Sequence, residues 1–311
     1  MTAADVSAHP AQGGPVGPVV GVVVVTYFPG ETLAGFLDSI PSAFSGTADV
    51  VVADNGSTDG SVEQAETRPD VRVLRTGGNL GFGTAANRGA ALVREDAEFL
   101  LIVNPDVVLH PAAIDLLVAA ARRHPSAGTL GPAIETPEGV LYPSARRLPT
   151  LWLGAGHAAL GWAWPTNPWT RQYRQENTGV HERSAGWLSG SCLLVRRSAF
   201  QQIGGFDEGY FMYFEDVDLG ARMQRAGWQN VYIPDAVATH IGGHATERQG
   251  AAMVTEHHRS AYRYLAARHP GPWRAPVRLA LRLALRVRSA IAVRSAGVSA
   301  GARFDGRRRR S

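Results

Sequence analysis

Lysine is absent from this 311-residue chain, cysteine occurs once and methionine four times. Its basic side chains other than histidine are therefore all arginine, 31 in number. The single thiol, Cys192, excludes an internal disulfide framework. It stands in Ser191-Cys192-Leu193-Leu194-Val195, which reads as a buried strand, so an unreactive core thiol is expected. No uninterrupted apolar run approaches the ~20 residues that cross a bilayer. Met1 to Pro18 lacks a basic stretch followed by an apolar one and does not read as a secretion signal. Residues 1–18 are expected to be disordered, and the protein cytoplasmic. With 45% apolar and 19% charged residues, the chain is far from a disordered composition and long enough to bury a sizeable core.

Charge is unevenly distributed. From Arg268 onward there are twelve arginines and one acid, Asp305, whereas the preceding residues hold nineteen arginines and 26 acids. Arg274, Arg278, Arg282 and Arg286 recur every fourth residue and would form one stripe on a helix. Val277, Leu279, Leu281, Leu283, Ala284 and Leu285 would cover much of the rest. Such a helix suits a membrane interface, apolar side in the acyl boundary and arginines on anionic headgroups. The plainer alternative is an arginine-rich helix packed on the body, with the Arg307–Arg310 run solvated. No recognition motif accompanies the charge, so nucleic acid is not an expected partner. The expected location is the inner face of the plasma membrane, peripherally bound.

Val19 to Thr26 is a continuous, largely β-branched run of the kind buried on both faces of a sheet. Similar runs follow at Val50–Ala53, Val71–Leu74, Phe99–Val103 and Gly128–Ile134. Helix-like stretches lie between them, near 31–40, 60–66, 81–94 and 111–124. This alternation predicts an α/β fold with a mostly parallel central sheet flanked by helices. Sites in such sheets form at the carboxyl ends of the strands. There the chain places Thr26-Tyr27, Asp54-Asn55-Gly56-Ser57, Asn79 and Asn104-Pro105-Asp106. The segment 141–187 holds five of the seven tryptophans, Trp152, Trp162, Trp164, Trp169 and Trp187, and is a candidate sugar-stacking or membrane patch, or simply packing.

Three groups could carry chemistry. Asp106, after a buried strand and a proline, could hold a divalent cation whose remaining ligands come from a diphosphate and water, or could merely cap the next helix. Glu215, Asp216 and Asp218 crowd a helix start behind Tyr210-Phe211-Met212-Tyr213-Phe214, a setting that raises a carboxylate toward the range of a general base. The helix dipole alone would also favour acids there. His240 ends a strand just before Gly242-Gly243-His244, with no partner spacing for a zinc site. Separately, Gly81-Phe82-Gly83-Thr84-Ala85-Ala86 matches the loose dinucleotide fingerprint, which keeps a nicotinamide-dependent oxidoreductase as a rival reading. A non-catalytic membrane-bound scaffold is a second rival, against which the acidic cluster argues.

Taken in order, Val22-Val23-Val24-Val25-Thr26-Tyr27, Asp54-Asn55-Gly56-Ser57-Thr58-Asp59-Gly60, Asn79-Leu80-Gly81-Phe82-Gly83 with Asn87-Arg88-Gly89, Asn104-Pro105-Asp106 and Phe214-Glu215-Asp216-Val217-Asp218 resemble the family 2 glycosyltransferases of GT-A fold. The resemblance covers about 19–245, a nucleotide-sugar half at 19–135 and an acceptor half at 136–245. A helical, basic, membrane-associating region with a disordered arginine tail follows at 246–311. Tyr142-Pro143-Ser144-Ala145-Arg146-Arg147, Asn167-Pro168-Trp169 and Gly186-Trp187-Leu188-Ser189-Gly190-Ser191-Cys192 look like the actinobacterial branch that transfers rhamnose to polyprenyl-diphospho-N-acetylglucosamine in building the arabinogalactan–peptidoglycan linker.

The resemblance implies that Thr26, Tyr27 and Asp54, with Asn55, Gly81, Asn87 and Asn104, hold a dTDP-rhamnose donor. Asp106 would bind Mg²⁺ or Mn²⁺ on its diphosphate, with His240 as a further metal or phosphate contact. Asp216 would be the base, Glu215 the lesser candidate and Asp218 a supporting neighbour. Trp187, Gly190 and Ser191 would face the acceptor sugar. Arg146 and Arg147 form a guanidinium pair suited to the acceptor diphosphate. Asn104 departs from the Asp-x-Asp of many relatives and leaves Asp106 to hold the metal largely unaided. Galactofuranosyl or another rhamnosyl transfer would use much the same motifs.

Overall fold

In the computed structural model, which describes residues 18–150, 180–242 and 250–308, all eight residues of the first strand, β1 (Val19–Thr26), are buried. A strand without polar alternation needs a neighbour on each edge and cover on each face. It pairs in parallel with β2 (Thr47–Asp54) and β4 (Phe99–Val103), and β3 (Val71–Arg75) adds to β2, also in parallel. The alternation of β1 side chains then defines two cores. Val20, Val22 and Val24 pack with Phe36 and Ile40 of the helix Thr32–Ala43 and with Ile114 and Leu117 of the helix Ala113–Arg123. Val19, Val23 and Val25 face Ala85, Ala86 and Ala90 of the helix Phe82–Leu92.

Beyond β4 the sheet ceases to be purely parallel. Past β5 (Val107–Leu109) and β6 (Ala127–Glu135), the chain forms two short pieces, β7 (Leu141–Tyr142) and β8 (Ala145–Arg146). It resumes with β9 (Arg183–Ala185), β10 (Trp187–Leu188), β11 (Cys192–Arg196) and β12 (Gln229–His240). The main sheet runs β3-β2-β1-β4-β11-β6-β12-β5. In it β11 is antiparallel to both β4 and β6, β12 is parallel to β6, and β5 is antiparallel to β12. Cys192 lies opposite Val103 in this sheet, and burial pushes its thiol up to about 12, as expected of a core cysteine. The strand β5 carries no signal in a three-residue run, yet it places Val107 opposite His240.

The fingerprint glycines of the helix Phe82–Leu92 answer to packing. A Cβ on Gly81 would stand 2.3 Å from the Phe211 carbonyl oxygen, and one on Gly83 2.9 Å from the Phe206 side chain. Both glycines admit neighbouring chain rather than a pyrophosphate, which removes the basis for a dinucleotide site. Gly81 also has φ +87°, in the region that favours glycine. Gly81→Ala should therefore cost at least ~2 kcal/mol of stability. A melting temperature within 1–2 °C of the wild type, roughly what a few tenths of a kcal/mol shifts, would contradict this.

Two further helices follow β12, Gly250–Ala267 and Ala275–Arg308. The second extends into the terminal arginine run expected to be unstructured. No described helix is long and apolar enough to cross a membrane. Trp152, Trp162, Trp164, Trp169, His244 and residues 1–17 lie outside the described residues.

Candidate active site

The carboxyl ends of β1, β2 and β4 open into a cavity of about 500 Å³. Thr26, Tyr27, Asn55, Asn79, Asn104 and Asp106 line one side. Trp187, Gly190, Ser191, Glu215 and Asp216 line the other, with Arg146, and His240 stands beside Asp106. Strand-end placement explains the first group. The second arrives because β11 is inserted beside β4, so that the Asn104 N–H donates to the Ser191 carbonyl at 3.0 Å.

Asp54 is buried behind this wall rather than exposed on it. Its carboxylate accepts from the Thr26 hydroxyl (3.1 Å), the Ser57 hydroxyl (2.6 Å) and the Gly56 and Ser57 N–H groups. It thus locks the loop after β2 against the end of β1. Tyr27 and Phe28 stand edge to face at 4.7 Å, and the Phe28 N–H donates to Ser57 at 2.9 Å. Asn55 donates to the Gly81 carbonyl at 3.2 Å, so Gly81 shapes the wall through its backbone.

Asp106 and His240 meet at 3.0 Å, Oδ1 to Nε2, although 134 residues separate them. The β5–β12 pairing makes this contact, and the Ile241 N–H donates to the Asp106 carbonyl at 2.9 Å. A carboxylate and an imidazole side by side on a cavity wall fit a divalent cation. Among the described residues no three His, Cys, Asp or Glu side chains cluster to hold an ion by themselves. The remaining ligands would come from a diphosphate and water, in the manner of Mg²⁺ or Mn²⁺.

Across the cavity begins the helix Glu215–Arg225. Tyr213 and Phe214 before it hold φ +65° and +68°, strained values for aromatic residues of a kind that gather at functional sites. Asp216 accepts the Gly190 N–H through Oδ2 (2.9 Å) and the Val217 N–H through Oδ1 (2.8 Å). Burial raises its carboxyl above the ordinary range, against the pull of those N–H groups and of the Arg146 guanidinium. Burial and the neighbouring Asp216 push Glu215 up to about 8, and its Oε2 has no hydrogen-bond partner among the described residues.

A family model for glycosyl transferase family 2 matches residues 21–204, and one for glycosyl transferase family group 2 matches 169–283. The chain belongs to glycosyl transferase family 2. Its similar relatives include the N-acetylglucosaminyl-diphospho-decaprenol L-rhamnosyltransferase of Mycobacterium tuberculosis, 52% identical over 89% of this chain and 94% of the relative. The rhamnosyltransferase WbbL of Escherichia coli is 30% identical over 61% of this chain and 72% of its own length. Among solved structures, a Pyrobaculum calidifontis mannosyltransferase in complex with GDP-Man and Mn²⁺ covers 93% of this chain and 79% of its own, with TM-score 0.54 and 20% identity. GalNAc-T7 with UDP, GalNAc and Mn²⁺ covers 78% and 47%, with TM-score 0.58 and 16% identity. At those identities the likeness concerns the fold, which is GT-A.

Five residues expected in this family 2 glycosyltransferase's site stand off the cavity wall. Asn87 donates to the Phe206 carbonyl (3.0 Å) and accepts the Phe206 N–H (2.9 Å), fixing the Gly204-Gly205 turn. Asp218 pairs with Arg222 at 2.5 Å, and Arg222 donates to the Ile203 and Gly205 carbonyls of that turn. Helical spacing turns Asp218 away from Asp216. Arg147 is exposed and contributes its carbonyl, which accepts the Trp187 indole N–H at 3.0 Å. Asp54 is the fourth, and Gly81, which meets the wall only through the carbonyl that accepts from Asn55, is the fifth. Arg146, by contrast, reaches the cavity with its guanidinium 5.3 Å from the Trp187 ring centre. The sequence reading did not place Met253 and His257 on the wall. The His257-His258 doublet is visible in the chain, but nothing local says that the helix bearing it folds over the site.

Glu215 also sets a stability profile for this glycosyltransferase. Its folded value, about 8, stands above its ordinary value of 4.5, so between the two the folded state binds more protons than the unfolded one. Its contribution to stability is then fully present below about pH 4.5 and is lost as pH rises to about 8. Glu215→Gln should show a smaller loss of melting temperature from pH 5 to pH 8 than the wild type. Equal slopes would mean that Glu215 is ionised throughout.

Proposed function

We propose that the protein transfers L-rhamnose from dTDP-β-L-rhamnose to a polyprenyl-diphospho-N-acetylglucosamine with inversion at the anomeric carbon. The observation that carries this reading is the 52% identity to the mycobacterial rhamnosyltransferase across 94% of that enzyme's length. That relative's name supports the rhamnosyl group and the acceptor, dTDP as the carrier is part of the proposal, and the cavity supplies the chemistry. The wall from Thr26 to Asp106 takes the nucleotide diphosphate, and the wall from Arg146 and Trp187 to Asp216 takes the acceptor.

Asp216 accepts the proton of the attacking acceptor hydroxyl. As that proton leaves, the hydroxyl oxygen forms a bond to the anomeric carbon, whose bond to the diphosphate oxygen breaks on the opposite face. The electron pair departs with the dTDP. The Gly190 and Val217 N–H groups hold the carboxylate in a fixed orientation, so no reorganisation is needed at the moment of transfer. Asp106 and His240 would hold a divalent ion, Mg²⁺ or Mn²⁺, which when bound neutralises charge on the leaving diphosphate. Trp187 is buried and backs this wall, and the Arg146 guanidinium over its ring gives the wall a cationic border suited to a diphosphate. A prenyl chain keeps such an acceptor in the bilayer, so the enzyme works at a membrane surface.

The test mixes purified protein with dTDP-β-L-rhamnose and a short-chain prenyl-diphospho-N-acetylglucosamine, with Mg²⁺ or with EDTA. A metal-dependent gain of one deoxyhexose by mass spectrometry is expected. An intact donor, with turnover of a different nucleotide sugar instead, would overturn the rhamnosyl assignment while keeping the transferase.

A further inference from the structure

The helix Ala275–Arg308 changes the arginine stripe drawn from the sequence. Arg274 bonds the His269 ring at 2.7 Å, and Arg278 donates to the His269 and Gly271 carbonyls, each at 2.7 Å. These two arginines close the turn between the C-terminal helices rather than facing outward. Leu281, Leu285 and Arg288 follow them as half-buried positions, along the side that packs on the helix Gly250–Ala267.

The opposite side is apolar and uncovered. Trp273 is 73% exposed, Leu279 58%, Leu283 54% and Val287 60%. At 100° per residue, Leu279, Leu283, Val287, Ala280, Ala284 and Val277 occupy one continuous arc of about 160°. Arg282 and Arg286, both exposed, lie along one border of that arc, between it and the packed side. From Trp273 to Val287 the surface is roughly 20 Å long.

We propose that this arc is a docking surface for an anionic phospholipid bilayer, with Leu279, Leu283 and Val287 entering the acyl boundary and Arg282 and Arg286 binding headgroup phosphates. Charge selects this occupant over a second copy of the chain. Between Arg268 and Asp305 there is no acidic residue, so two such faces brought together would set arginine against arginine. An anionic surface neutralises the same charges, and an exposed tryptophan at the helix entry suits the headgroup boundary. The surface is tied to the active site. The helix it packs on donates from Ser260 to the Met212 carbonyl (2.9 Å) and pairs Arg263 with Asp207 (2.9 Å), holding the segment that leads to Glu215. The same helix puts Met253 and His257 on the cavity wall.

The test is co-sedimentation of the full chain with vesicles of phosphatidylcholine alone or with about 30% phosphatidylglycerol. It uses no donor or acceptor, so its failure leaves the transfer reaction standing. The wild type should bind the anionic vesicles. The triple variant Leu279→Ser, Leu283→Ser, Val287→Ser should bind about tenfold more weakly or worse. Arg282→Gln with Arg286→Gln should reduce the preference for anionic over neutral vesicles, with the remaining C-terminal arginines retaining part of it. The replaced residues are solvent-exposed, so circular dichroism and melting temperature should match the wild type. A wild type that stays in the supernatant overturns the proposal, as does a triple variant that sediments like the wild type. A triple variant that halves the mass in light scattering without losing vesicle binding assigns the face to self-association instead.

Discussion

Asp216→Asn should lower kcat by roughly 10³-fold, the scale of a lost general base. Donor affinity, read by titration of the nucleotide sugar, should stay within about twofold, because the proposed reaction places the carboxylate beside the acceptor. The size of the effect follows from the surroundings of Asp216. Both oxygens accept backbone N–H groups, at 2.9 and 2.8 Å, so the side chain is aimed before substrate arrives. An amide offers only one acceptor oxygen and would turn its NH₂ toward one of those donors. A modest stability loss should therefore accompany the kinetic one, and a melting curve separates the two. Near-normal turnover in a folded variant would remove Asp216 from the reaction. Because burial raises this carboxyl, the rising limb of the kcat/KM profile should lie above the pH at which an exposed aspartate ionises. The limb should disappear in the Asn variant.

Asp106→Ala should cost roughly 10²–10³-fold in kcat/KM with Mg²⁺ or Mn²⁺ present, a few kcal/mol of stabilisation of the leaving group. In EDTA the wild type and the variant should converge, since the side chain's contribution requires the ion. His240→Gln should weaken metal affinity less, because a second ligand is lost but the charged one remains. Equal activity of wild type and Asp106→Ala across a metal titration would mean that the Asp106–His240 contact at 3.0 Å is structural.

How far the site could be read from the chain depended on how local its parts are. Thr26, Asn55, Asn104 and Asp106 stand at strand ends, and a buried run followed by a polar turn is a local signal. Glu215 and Asp216 announced themselves as acids crowded behind aromatics. Pairings without a local signal were not legible. The three-residue β5 brings His240 to Asp106, and β11 is an antiparallel member of the mostly parallel sheet whose position no local pattern marked. Side-chain direction was the other hidden quantity. Asp54, Asn87, Asp218 and Arg147 are the right residue types in the right motifs, yet each is spent on a turn, a loop or a neighbouring indole. Spacing alone could not tell an arginine that reaches outward from one that caps a carbonyl, as Arg278 does.

The position of β11 between β4 and β6 bears on how such enzymes can be recombined. A strand from 136–245 is hydrogen-bonded on both edges to strands from 19–135, and it follows the Gly190-Ser191 turn, whose Gly190 N–H donates to Asp216. Exchanging acceptor-side sequence between relatives would replace a central rib of the sheet, not an appended module. Chimeras cut after β6 should fold only when the incoming Cys192–Arg196 equivalent matches Leu101, Ile102 and Leu130 in volume, so new acceptor specificities are more accessible through the loops at the cavity rim.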